Sequence, residues 1–375
     1  MAFPTGWTLL AKYKVNAAKV AGSTDFTNQP VLLKDDDFIT AVYDNVDNGG
    51  GDLRFSSDEA GTTQLPCEVV SFNTSTDTAQ VWVKATLDAD ADTYIYIWGA
   101  NTGQTQPAVT DTYGRNAVWA DNYKGVWHFE ANGNDSSGTG NNLTGVGTPT
   151  YATGIAGNGF NAEKDSSQYF TISHASQVGL STTGVMTVLS TYKPESQTDS
   201  ACLVHKHKQV SGDWRGYLLQ TYNGRYREEL LDLTGGDSAI DVNVGLTNDT
   251  WNLFGVTYDG SQVRGYFNNS LIGTDNRTGT HSDSGDAFNI GAYHTSARTD
   301  TFADGIIDET WFIGAARTTD WWTTMYNMLL DHDNFGVGEG MSSIKNFLGV
   351  VQSSLKSVAG IASASIKKIA GVSNA

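Results

Sequence analysis

Short runs of alternating apolar and polar residues recur along most of this chain, separated by clusters of Gly, Asn, Asp, Ser and Thr. In the first third, "DLRFSS", "LPCEVVSFN", "AQVWVKATL" and "DTYIYIWGA" have the period of two that belongs to strands. Val81 and Val83 face one way, Trp82 and Lys84 the other. "SSDEAGTT" reads as the loop of a hairpin. The pattern dissolves from Asn101 to about Tyr123. It then resumes as "GVWHFE", "SQYFTIS", "VMTVLSTYKP", "ACLVHKHK", "GYLLQTY", "WNLFGVTY", "QVRGYFNN", "AFNIGAY" and "GIIDETWFIG". Asp259-Gly260 in "YDGS" is a hairpin signal. "TTDWWTTMYNMLLDH" switches to helical spacing. There Trp321 or Trp322, Met325 and Leu329 share a face, and Thr319 is the expected N-cap. That face should pack on the preceding sandwich.

The expected fold is therefore all-β: two tandem β-sandwich (jelly-roll) domains with a short helix and a C-terminal repeat tail. The boundaries fall at 1–105 for the first sandwich, 106–121 for a linker, 122–331 for the second, and 332–375 for linker and tail. The tail contains three copies of an 11-residue unit, SIKNFLGVVQS, SLKSVAGIASA and SIKKIAGVSNA. Ile344, Leu355 and Ile366 recur, as do Lys345, Lys356 and Lys367. Eleven residues make three helical turns at about 3.67 per turn, but the recurring Gly and Ser argue against a continuous helix. The predicted unit is a short turn with Ser as N-cap, Gly at its C-terminal end and then an extended apolar pair. Each unit exposes an apolar edge that it cannot bury alone, so it should stack on neighbours or on a partner. The other reading is a disordered linker.

Charge sharpens this division. The net charge is −18, and the four lysines of the tail have no acidic companion, leaving −22 on residues 1–340. Such a body should repel nucleic acid and anionic membrane surfaces. Cys67 and Cys202 are the only cysteines and fall in different sandwiches, so no disulfide framework is expected. No apolar run approaches a membrane span, and the opening MAFPTGWTLLAKYKV lacks a signal-peptide pattern.

Three segments in the right order, "GVWHFEANGNDSSGTGNNLTG", "TWNLFGVTYDGSQVRGYFNNSLIG" and "FADGIIDETWFIGAARTTDWWTTMY", resemble the laminin-G-like, concanavalin A-like jelly roll of lectins and glucanases. The resemblance covers roughly 122–330. Residues 1–105 resemble a bacterial and viral domain of unknown function that often precedes such a jelly roll. Glucanases of the family set their carboxylates on one strand as Glu-x-Asp-x-x-Glu. Here Ile306 and Trp311 take the outer places and only Asp308 survives, so no glycosidase activity is expected. The family implies a glycan site, for which Trp214, Tyr217, Tyr222, Tyr226 and Tyr293 are the aromatic candidates.

The loop "EANGNDSSGTGNN" is rich in oxygen ligands, and Ca²⁺ is the cofactor considered for it. Asp135 would anchor the ion, with Asn132 or Asn141 adding amide oxygens. The alternative is a turn in which Asp135 and Ser136 bond their own backbone. His205 and His207 lie two apart on one strand face, a spacing found among metal ligands, but the sequence names no third ligand. Solvent-facing histidines are the ordinary reading.

The tail is similar to the tails of structural proteins from tailed bacteriophages. That resemblance implies a non-enzymatic virion protein, as decoration, fibre or tail component, made in the host cytoplasm. Its expected partners are other virion proteins through the tail, host surface glycans through the jelly roll, and further copies of itself. The alternative is a secreted or cell-surface bacterial carbohydrate-binding protein or adhesin.

Overall fold

Strands form where the alternating runs lie, and two of the expected boundaries move. The computed structural model describes residues 3–341 except 182–183, 199, 234–235 and 296–297, together with six dipeptides of the tail; the side chains of 294–300 and of the tail lie outside the description. In the N-terminal region an antiparallel sheet runs in the order Gly336–Gly340, Thr8–Val15, Thr93–Gly99, Arg54–Ser56, Gln64–Leu65. A second sheet runs Phe26–Lys34, Thr78–Leu87, Cys67–Asn73. Residues 332–340, expected in the linker to the tail, thus supply an edge strand to the first sandwich, with Ala11 opposite Gly340 and Val15 opposite Gly336. The expected linker 106–121 is packed too. It carries a short helix, Arg115–Val118, and Trp119 is fully buried.

The jelly roll pairs two large antiparallel sheets. One runs Thr150–Thr153, Asn158–Ala162, Gly305–Ile313, Met186–Pro194, Asn252–Tyr258, Gln262–Phe267, Ser270–Asn276, with Tyr123–Trp127 also paired to Gly305–Ile313. The other runs Ser238–Val242, Arg225–Leu231, Asp213–Tyr222, Ala201–Val210, Phe288–Ile290, Tyr169–Ile172, Thr144–Val146. Alternation along the first sheet separates two cores. Val188, Phe254 and Phe312 point into the jelly roll. Their neighbours Leu189, Leu253, Trp311 and Ile313 point the other way, into a cluster shared with Val31, Leu32, Trp82 and the rest of the N-terminal sheets. This sheet is buried on both faces, which is why "GIIDETWFI" and "NLFGVTY" carry so little polar alternation. On the outer face of the second sheet the cover is smaller: Cys202 and Leu218 are buried against Tyr293.

The helix Thr319–Leu330 fills the seam between the two regions rather than lying on one sandwich. Its N-cap is Thr318, whose side chain accepts from Trp321 N, one residue before the position expected. Trp321 Nε1 donates to Gln29 Oε1 at 2.9 Å, towards the N-terminal sheets. Trp322 Nε1 donates to Asn268 O at 2.8 Å and its ring stacks on Tyr266, towards the jelly roll. Gly255 makes this possible: a Cβ there would sit 2.0 Å from the Trp322 ring. Met325, Met328 and Leu329 are buried in the shared cluster, each contributing about 1.5–3 kcal/mol by removal from water.

Within the tail, the described dipeptides pair as antiparallel two-residue ladders: Asn346–Phe347 with Val350–Val351, Ser357–Val358 with Ile361–Ala362, and Lys368–Ile369 with Val372–Ser373. Each repeat therefore carries a strand pair where a helical turn was expected. Ile344, Lys345, Leu355, Lys356, Ile366 and Lys367 lie outside the described residues.

One ionic group locks the two regions together. His128, just after Tyr123–Trp127, places Nδ1 2.7 Å from Glu309 Oε1 and Nε2 3.3 Å from Glu68 Oε2. Glu68 belongs to the N-terminal sheets and Glu309 to the jelly roll. Gln80 and Trp311 donate to Glu309, while Trp119 and Ser136 donate to Glu68. Burial alone would lower the imidazole pKa, but Glu309 and Glu68 overcome it and raise the value from 6.5 to about 10. Being raised in the folded state, it adds stability that is complete below about pH 6.5 and is lost as pH rises through about 10. We predict that His128→Ala costs roughly 3–5 kcal/mol, because two buried carboxylates lose their counter-ion. Chemical denaturation of this variant should also lose the part of the wild-type decline in stability that His128 contributes between neutral and alkaline pH. Wild-type stability and pH dependence in His128→Ala would refute the lock.

Candidate functional site

A concave groove lies on the outer face of the jelly roll's second sheet, beside the segment starting at Tyr293 that packs on Cys202 and Leu218. Its strands, Ala201–Val210, Asp213–Tyr222 and Arg225–Leu231, are joined by tight hairpins. Asn223 and Gly224 connect the last two at φ of 50° and 72°, the left-handed pair that a two-residue hairpin needs. That turn sets Tyr222 opposite Arg225, Gln220 opposite Arg227 and Leu218 opposite Glu229. Side chains of 214, 218, 220 and 222 consequently share the groove face with Arg227 and Glu229. His207 joins them from the neighbouring strand, where it pairs with Gly216. Having no side chain, Gly216 leaves the space beside His207 to the Trp214 ring, which stacks on the imidazole at 4.7 Å between centroids and 3° between planes.

The groove encloses about 400 Å³. Trp214 and Tyr222 stand on its rim with 41% of each residue exposed. The Arg227 guanidinium lies over the Tyr222 ring at 5.0 Å and donates to Glu229 Oε1 through Nε at 2.9 Å and Nη2 at 2.5 Å. His207 Nε2 is 3.4 Å from Glu229 Oε2, and His207 Nδ1 is 3.2 Å from the Tyr293 hydroxyl. Burial pushes the His207 pKa down to about 4, against the pull of Asp237 and with the help of Arg227. The imidazole is therefore neutral at physiological pH, one nitrogen donating and one accepting. Gln220, Asp237 and Thr301 complete the polar lining. Aromatic faces beside fixed donors and acceptors suit a ligand with apolar patches and many hydroxyls.

Of the five aromatics expected at a glycan site, the structure brings Trp214, Tyr222 and Tyr293 together. Tyr217 and Tyr226 do not belong there. They lie on the core face of the same strands, fully buried, and donate to Leu180 O at 2.8 Å and Gly255 O at 2.6 Å. His205 and His207 share a face as expected, but both are buried rather than solvent-facing. Among the described residues no cluster of three or more His, Cys, Asp or Glu has metal-binding geometry. Sequence reasoning missed Gln220, Arg227, Glu229 and Asp237. The Asn223-Gly224 turn was the signal available for the first three.

Asp308 is far from this chemistry. It is fully buried in the doubly covered sheet, where it accepts from Ile155 N at 2.8 Å and Glu309 N at 2.8 Å. Burial and the neighbouring Glu309 raise its pKa well above the usual carboxylate range. Its role here is to hold backbone in place, by accepting from Ile155, Ala156 and Glu309 N.

Residues 164–321 match the Concanavalin A-like lectin/glucanases superfamily. Residues 49–118 match a Domain of unknown function (DUF2341). No curated protein matches the chain. Among solved structures, domain 4 of AbnA, an extracellular arabinanase from Geobacillus stearothermophilus in complex with arabinotriose, is 17% identical with a TM-score of 0.43, covering 54% of this chain and 97% of that one. The CBM40 of the Ruminococcus gnavus IT-sialidase bound to α2,3-sialyllactose is 18% identical with a TM-score of 0.35, over 39% and 84%. The ligand-binding domain of botulinum neurotoxin serotype D with N-acetylneuraminic acid is 14% identical with a TM-score of 0.42, over 57% and 52%. The concanavalin A-like match ends inside the helix Thr319–Leu330, so the edge strand Gly336–Gly340 lies beyond it.

The acidic loop just ahead of the matched residues does not fit Ca²⁺. Asp135 is buried, with Val126 N and Ser137 N on Oδ1 at 3.0 and 2.8 Å. Its Oδ2 receives Ser137 Oγ, Gly140 N and Asn141 N at 2.8, 3.1 and 2.9 Å. Asn132 Oδ1 accepts from Asn134 N, and Asn141 Oδ1 accepts from Val178 N. The oxygens that would face a cation are thus occupied by N–H and O–H donors, which is the self-bonded turn. We predict that Asp135→Ala lowers stability by roughly 1.5–3 kcal/mol, the scale of hydrogen bonds to a charged group. The melting temperature should fall equally in Ca²⁺ and in chelator; a fall seen only with Ca²⁺ would restore the ion.

Proposed function

We propose that this protein is a non-enzymatic carbohydrate-binding protein that holds an oligosaccharide in the groove of the second jelly-roll sheet. The observation that carries the reading is the pair Trp214 and Tyr222. They are large rings left 41% exposed beside His207, Gln220, Arg227 and Glu229. Sugar rings present apolar C–H faces to such rings and hydroxyls to such polar groups. The Trp214 face not stacked on His207 is the expected platform. Trp214→Ala and Tyr222→Ala should each weaken binding of a recognised oligosaccharide by at least tenfold on a glycan array or by calorimetry. Melting temperature should hardly move, because both residues stand on the rim. Unchanged affinity in both variants would sink the reading.

Attachment to a larger structure is a separate part of the proposal. Its support is the regular basic repeat after Gly340, beneath a body of opposite charge. A virion and a cell surface both suit such an anchor. The groove favours the broader reading, a carbohydrate-binding surface protein, because it requires no particular particle. A chain ending at Gly340 keeps the edge strand that pairs with Thr8–Val15. It should stay folded and bind sugar like the full chain, yet fail to co-sediment with the native particle or envelope. Co-sedimentation equal to the full chain would rule the anchor out.

A further inference from the structure

We infer that the groove selects uncharged glycans and rejects acidic ones, with Glu229 and Asp237 as the residues that set this specificity. The inference rests on the glycan-binding reading above and adds the class of ligand. Sugars that carry a carboxylate, such as sialic and uronic acids, need a cation or a set of free donors to meet it. Among the described groove residues the cation present is Arg227, and its guanidinium is already committed. It makes two hydrogen bonds to Glu229 Oε1, at 2.9 and 2.5 Å, and its Cζ lies over the Tyr222 ring at 5.0 Å. His207 cannot take its place, since it is buried, stacked under Trp214 and held neutral at physiological pH.

Counting Arg227 against Glu229 and Asp237 leaves the lining with one net negative charge. A ligand carboxylate entering there would lose water and face like charge at short range, where salt screens poorly. The surrounding body, at −22, adds a longer-range repulsion that salt does screen. Neutral hydroxyls have no such conflict. Glu229 and Asp237 accept from them, and Gln220 offers an amide.

The test uses the full chain and matched probe pairs that differ by a carboxylate: lactose against 3′-sialyllactose, and galacto-oligosaccharide against oligogalacturonide. The neutral member of a recognised pair should bind at least tenfold more tightly, and the ratio should grow as salt is lowered. Glu229→Gln frees the Arg227 fork and removes one like charge; Asp237→Asn removes the other without touching that fork. Each variant should shrink the neutral-to-acidic ratio at least threefold, with circular dichroism confirming the fold. An acidic probe bound as tightly as its neutral partner, with that binding lost in Trp214→Ala, overturns the charge inference and leaves the glycan site standing. A ratio unmoved in both variants overturns it as well. Failure of every sugar to bind overturns both readings.

Discussion

The structure depends on one buried cation, His128, held between a carboxylate from each half of the molecule. Taking these charges out of water is costly, and attraction offsets the cost only if the remaining hydrogen-bonding capacity is satisfied. Here it is, by Gln80, Trp119, Ser136 and Trp311. Two indoles pack around the imidazole: Trp82 stacks on it at 5.7 Å and Trp119 lies tilted at 5.6 Å. The geometry is specific to both partners. Glu309 adopts φ of 47°, in a strand whose register shifts between Leu189 and Thr191 opposite it. A bulge re-aims side chains, and this one turns a carboxylate towards the seam from a strand that otherwise reads as apolar. Without the jelly roll, Glu68 would lose the cation that faces it across the seam.

The lock decides which surfaces remain for function. With the N-terminal sheets and the helix Thr319–Leu330 clamped against it, the first jelly-roll sheet is covered on both faces. The outer face of the second sheet is covered only in part, by the segment starting at Tyr293, and the rim of its groove carries exposed rings. A Trp and a Tyr at 41% exposure are a poor choice for an idle surface and a good one for a ligand platform. On the proposed reading the architecture divides labour between sheets: one is a structural wall, the other carries the proposed binding face. Asp308 shows the converse. The carboxylate that seemed the remnant of a catalytic strand lies in the wall, where it serves as a backbone acceptor.

Much of this was legible in the alternation of residues, and the failures have identifiable causes. The strand runs and the amphipathic helix follow from local period. Tyr217, Tyr222 and Tyr226 show what was within reach but not taken. Asn223-Gly224 pins the hairpin, the hairpin pins the register, and the register sends Tyr222 outward and its two companions inward. The return of Gly336–Gly340 to pair with Thr8–Val15 was not legible, because "GVGEG" has no strand period and its partner is more than 300 residues away. The ionic lock was hidden for the same reason. Glu68, His128 and Glu309 are each unremarkable in sequence, and only the docking of two halves brings them together.

Buried protons add a constraint that composition alone does not suggest. Glu228 lies on the core face of the strand that also carries Arg227 and Glu229. Burial raises its pKa from 4.5 to about 8, although Ile240 N and Ser238 Oγ donate to it. Its stabilising protonation is complete below about pH 4.5 and is lost as pH rises through about 8, while that of His128 fades from about 6.5 through 10. The two windows overlap and have the same sign. Self-repulsion of a body at −22 grows in the same direction as its last acidic groups ionise. Glu228 and His128 favour the folded state on the acid side of their windows, whereas Asp259 and Asp283, whose pKa values fall on folding, contribute stability that is lost as pH drops. His207 stays neutral until about pH 4, so the proposed binding face keeps one protonation state for this residue across the windows of Glu228 and His128.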